Sequence, residues 1–155
     1  MRGVYTAELK TASLASAKPL ILLTAATNKP LEIISAHAGN TGSNVTNQQV
    51  ELAIARVTTL GSPTGTAITP NPEEVNDQAS SATVTGIADA NGTDVTTKGV
   101  KLDHQGCSSL AGYQFAPVPE ERPLVAGGAS VVFYFVAAPG VAYDCVYQIK
   151  YREIG

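Results

Sequence analysis

The stretch PVPEERPLV, Pro117 to Val125, sets Glu120, Glu121 and Arg122 between prolines, and paired carboxylates are the working groups of glycoside hydrolases. Such a pair must face itself across a substrate at roughly 5 to 9 Å, whereas adjacent residues of an extended chain point apart. Pro119 and Pro123 fix φ and disfavour helix in the residues before them. The segment Pro119, Glu120, Glu121, Arg122, Pro123 is therefore expected to be a stiff, extended, solvent-facing bend, with Arg122 neutralising one glutamate or an acidic neighbour.

The other candidate chemistry lies in DHQGC, Asp103 to Cys107, which holds one of the two histidines, His37 and His104. A metal site needs three or four oriented ligands, and a cupin-type oxygenase would show a His-x-His pair followed by a glutamate. The chain has no His-x-His. His104 is in phase with Val100 and Leu102, which predicts a hydrogen-bonded core or rim histidine. No Gly-x-Ser-x-Gly elbow is present, and Ala126 to Gly128 precedes an apolar run of strand type, so it lacks the helix N-terminus of a phosphate loop. Cys107 and Cys145 form neither a CxxC pair nor a disulfide framework and are expected to be small buried hydrophobes. Asn44 and Asn91 each begin a glycosylation tripeptide, and Asn91-Gly92 reads better as a hairpin turn. These residues point to no enzyme and to no cofactor or metal.

The elements that would carry them are strands. The chain has 155 residues, is rich in Ala, Thr, Val and Gly, lacks tryptophan, and suits one self-sufficient domain. Strand signals fall at Val4 to Leu9, Leu20 to Ala25, Leu31 to Ala38, Gln48 to Thr58, Ala82 to Ile87, Gly99 to His104, Tyr113 to Pro117, Ala129 to Ala137 and Ala142 to Tyr151. Short helical turns fit Thr11 to Ala17 or Pro72 to Asn76. The predicted fold is an all-β antiparallel sandwich of about eight strands with jelly-roll connectivity. A net charge of −3 with scattered basic residues argues against nucleic acid as a partner. Lys18 to Ala26 is too short and too far inside the chain for a signal core, and no apolar run approaches the roughly 20 residues of a membrane span. A soluble protein used without secretion is expected.

Alternation assigns faces. Tyr143, Cys145, Tyr147, Ile149 and Tyr151 share one side of the last strand, and Val50, Leu52 and Ile54 one side of the fourth. Arg56, in phase with the latter, is expected in a structural ion pair. In Ala129 to Ala137 both faces are apolar: Val131, Phe133 and Phe135 on one, Val132, Tyr134 and Val136 on the other. The second row needs a cover, either a loop of the same chain or another subunit, and the expectation adopted is a second copy, giving a homo-oligomer. The long segment Leu60 to Gln78 has too many prolines for a central strand and reads as a functional, mobile or Ω-type loop.

The order of three stretches adds a resemblance. ELAIARVTTLGSPTGTAITPNPEEVNDQASSATV, then YQFAPVPEERPLVAGGASVVFYFVAAPG, then YREIG, together resemble a group of tailed-bacteriophage and prophage virion proteins that look like jelly-roll head decoration, or cement, proteins. The likeness runs from about Ile33 to Gly155, leaving residues 1–30 as first strands or as an arm. It implies a structural protein on the virion's capsid surface, bound to the major capsid protein of the shell, self-associating as a dimer or trimer, with no catalytic residue carried over. A fibre-tip or receptor-binding domain, a neck or tail component, and a cupin-like metalloenzyme are the alternatives.

Overall fold

The computed structural model describes residues 3–16, 19–42, 46–87 and 92–155. The strands are β1 (Val4–Leu14), β2 (Pro19–Thr24), β3 (Leu31–Asn40), β4 (Gln49–Thr59), β5 (Thr66–Ile68), β6 (Asn71–Pro72), β7 (Thr83–Gly86), β8 (Thr97–Ser108), β9 (Tyr113–Phe115), β10 (Leu124–Val125), β11 (Ser130–Phe135) and β12 (Tyr143–Glu153). They form two antiparallel sheets packed as a sandwich. One runs β10-β3-β12-β1-β6 with β9 also on β3, and the other runs β5-β7-β2-β11-β4-β8.

The pairing has a simple logic. β1 pairs β12, β2 pairs β11, β3 pairs β9 and β4 pairs β8, as though one long hairpin had been rolled so that its successive rungs alternate between sheets. Pairing of β12 with β3 and of β11 with β4 then closes each sheet. This is jelly-roll connectivity on eight strands, and four short strands, β5, β6, β7 and β10, bring the total to twelve. Those short strands are the departure from the expected eight. Residues 1–30 contribute β1 and β2 to the frame. Thr11 to Leu14 is strand and residues beyond Pro72 are turn, so neither expected helical turn forms. The hairpin expected at Asn91-Gly92 and the tripeptide beginning at Asn44 fall partly outside the described residues.

Strand alternation fills the space between the sheets. Tyr147, Ile149 and Tyr151 of β12 and Val50, Leu52 and Ile54 of β4 are all buried there, with Val131, Phe133 and Phe135 of β11. Aromatic rings interlock edge to face across the layers: Tyr147 meets Phe133 at 6.2 Å and Phe135 at 6.1 Å between centroids. The connection between β4 and β8 is the irregular part. It leaves the β4 end, adds β5 and β7 beyond β2, and lays β6 against β1 between them, so it spans the β1–β2 side of both sheets.

Candidate functional site

The second apolar row of β11 is covered from within the chain, which corrects the expectation of a second copy there. Val132 lies level with Leu22 on one side and Ala55 on the other, and Tyr134 is level with Ala53. Ile87 and Val95, from the β7–β8 connection, pack over this row, and Val132 is 0 % exposed. Tyr134 keeps 8 % and carries the Lys98 ammonium 5.1 Å above its ring, with Asp94 paired to the same lysine. Val136 is half-buried at the row's end. Ala53 and Ala55 of β4 are fully buried for the same reason.

The proline-rich bend also differs from expectation. Pro119–Glu121 forms one 3-10 turn, because only Val118 and Arg122 are held extended by the prolines after them. Glu120 and Glu121 are exposed, as expected. Arg122 is half-buried and turns inward to Glu32, 3.8 Å away, and Arg152 pairs with the same carboxylate. Glu32 is 6 % exposed, so this buried anion is held by cations from the bend and from β12. Arg56 donates to the Leu124 carbonyl at 2.9 Å instead of joining an ion pair, and it reaches solvent beyond.

A bulge lies immediately before the DHQGC segment. Ile54 pairs with Asp103 but Ala55 pairs with Lys101, so Leu102 is the extra residue of β8 and the phase of the strand changes there. Leu102 packs on the core, His104 is exposed beside Glu51 at 3.5 Å, and Val100 is 72 % exposed. Asp103 accepts hydrogen bonds from the Tyr113 hydroxyl and from Gln105. Burial first, then that carboxylate, pushes the Tyr113 phenol far above its usual range. Among the described residues no three His, Cys, Asp or Glu side chains are grouped to hold a metal. Cys107 is half-buried and Cys145 buried; both are free thiols lining a cavity of about 10 Å³, room for one water at most. Burial pushes the Cys145 thiol up to about 11.

What distinguishes the surface is the distribution of charge between its two ends. At one end of the sandwich the described connections 41–42, 46–48, 109–112 and 136–142 contain no Asp, Glu, Lys or Arg, and the Asp144 carboxylate at the tip of β12 stands beside them, accepting from the Ser13 amide at 2.8 Å and lying against Gly42. Leu110 is 60 % exposed there and Val141 49 %. Gln48 ties the loops together: its side chain donates to the Val141 carbonyl at 2.6 Å and accepts from the Val141 amide at 2.8 Å. Its carbonyl accepts from the amide of buried Ser109 at 2.9 Å, and the Ser109 hydroxyl donates to Thr46. The opposite end carries Lys29, Glu73, Glu74, Asp77, Glu120, Glu121 and Arg122. No single motif signals the charge-poor end; it emerges only when the rolled topology gathers separate connections. Compared with protein-family models, curated proteins and solved structures, the chain matches none.

A surface rich in small apolar residues and poor in charge has a composition close to that of the buried centre of a protein–protein contact. Loops already fixed by hydrogen bonds lose little freedom on docking.

Proposed function

We propose that this protein is a structural component of a phage virion that decorates the outside of the capsid shell and stabilises it by binding the major capsid protein. The observation that carries the reading is the charge-poor, hydrogen-bonded end of the sandwich at Gln48, Leu110 and Val141. The motifs quoted above supply the phage context, and the jelly roll is consistent with it. Self-association as a dimer or trimer belongs to the same proposal and rests on the resemblance, because the β11 row no longer calls for a second copy. Many modest contacts on a repeating lattice would add up through avidity.

The test is binding to purified expanded heads, followed by co-sedimentation, with mass spectrometry of intact particles as a companion. The wild-type protein is expected to sediment with heads, and a Leu110→Asp/Val141→Asp variant to stay in the supernatant with an unchanged melting temperature. Full binding by that folded variant would remove the charge-poor end from the reading. Absence of the protein from particles, together with failure of the wild type to bind heads, would refute the function itself.

A further inference from the structure

Residues 73–81 run from β6 toward β7 over the ends of β1 and β12, and no residue from Asn71 to Ser81 is buried. Val75 is 97 % exposed, so apolar burial does not hold this segment down. Polar bonds do. At one end, Glu73 accepts from the Thr6 hydroxyl at 2.6 Å and pairs with the Lys150 ammonium at 3.1 Å, and its amide donates to Val4. Midway, the Tyr5 hydroxyl donates to the Gln78 carbonyl. At the other end, Glu153, 2 % exposed, accepts from the Ser80 and Ser81 hydroxyls and from the Ser81 and Ala82 amides.

We propose that residues 73–81 are an acid-releasable strap, fastened across the ends of β1 and β12 by the carboxylates of Glu73 and Glu153, that opens while the eight-stranded frame stays folded. A segment held by hydrogen bonds and not by apolar contact opens at lower free energy than a core strand. The groups facing the two fasteners are few among the described residues. Glu73 faces Thr6 of β1 and Lys150 of β12. Glu153 faces the phenol of Tyr151, with Ser80 and Ser81 from the strap, and the Tyr5 ring lies beside that of Tyr151. Arg152, its neighbour in sequence, pairs with Glu32. Asp77, on the strap, packs against Gly3.

The direction of the pH effect follows from these partners. The bond from Thr6 and the pairing with Lys150 hold Glu73 below the usual carboxylate range. Burial alone would raise Glu153, but its hydrogen bonds from the serines and amides outweigh that, and it too is lowered. A carboxylate lowered on folding stabilises above its ordinary range and stops doing so as pH falls through the lowered value. Between the ordinary value and the lowered one, strap opening rises by up to about tenfold per pH unit for each carboxylate, and below the lowered value it levels off.

The experiment is an amide NMR titration of the whole protein from neutral pH downward, with Glu73→Gln and Glu153→Gln as variants. The amides of Glu73 and Ser81 are expected to move to disordered positions together, below the usual carboxylate range, while those of Val132 and Phe133 keep their folded positions. Glu153→Gln should show the strap shifts already at neutral pH, and Glu73→Gln should move the midpoint upward. If Glu153→Gln does not fold, the Glu73→Gln midpoint decides. Strap amides that hold their positions until the β11 amides also change, or a Glu73→Gln midpoint equal to the wild type, would overturn the proposal.

Discussion

Replacing Val132 by aspartate separates an internal cover from a subunit interface. Val132 is fully buried against Leu22, Ala55 and the Ile87–Val95 cover, so the substitution first forfeits about 1.5 to 3 kcal/mol of apolar burial. The new carboxylate has no cation among the described residues of that cluster and must take up a proton to remain there. Protonating an ordinary aspartate at neutral pH, some three units above its usual value, costs about 4 kcal/mol. The sum, about 6 kcal/mol, is comparable to the whole stability of many domains. Val132→Asp should therefore be largely unfolded near neutral pH by circular dichroism. Its deficit should shrink as pH falls toward the carboxylate range. The milder Val132→Ala and Val95→Ala each remove two carbons, about 1.6 kcal/mol, and should lower the melting temperature by roughly 3 to 6 °C. Because the two side chains share one cluster, the double variant should lose less than the sum. A folded Val132→Asp protein whose only change is its assembly state, with Val95→Ala melting like the wild type, would refute the internal cover.

Glu120→Gln and Glu121→Gln should leave thermal stability within about 0.5 kcal/mol of the wild type, since both side chains are exposed, whereas Arg122→Ala should cost about 1 to 3 kcal/mol by leaving buried Glu32 with one cation fewer. Urea unfolding of the three variants checks the contrast, and equal losses would contradict it. Thiol labelling at mildly alkaline pH should modify half-buried Cys107 first and Cys145 only on unfolding, because burial holds the latter's thiol near 11. Equal native rates would show that Cys145 is accessible. Adding reductant should not change the melting temperature, as both thiols are free.

Much of the frame was legible because period-two alternation survives wherever a strand lies between a core and another layer. Tyr147, Ile149 and Tyr151 fell on the inner face as read, and so did Val50, Leu52 and Ile54. The double apolar face of β11 was legible too, but its cover was not: Ile87 was read only as the end of a strand, and Val95 is an isolated apolar residue in a polar connection, so neither signals a cover. His104 was misplaced because a bulge at Leu102 shifts phase without any glycine or proline to announce it. β5, β6 and β10 are two or three residues long, below the length at which alternation can register, and exist because longer neighbours offer them an edge. The charge-poor end was invisible for a different reason. It is a property of which connections the roll brings together, and no window of sequence contains it.

Because Val4 pairs with Arg152, the strand that opens the frame and the strand that closes it have their outer tips side by side, at the end opposite Leu110 and Val141. A fluorescent protein, peptide antigen or affinity handle spliced before Val4 or after Glu153 would thus leave from the charged pole and point away from the charge-poor one. In a particle coated through the charge-poor pole, every copy would carry its cargo outward. The same adjacency makes the chain a candidate for circular permutation, with a short peptide joining the two tips and new ends cut into an exposed loop.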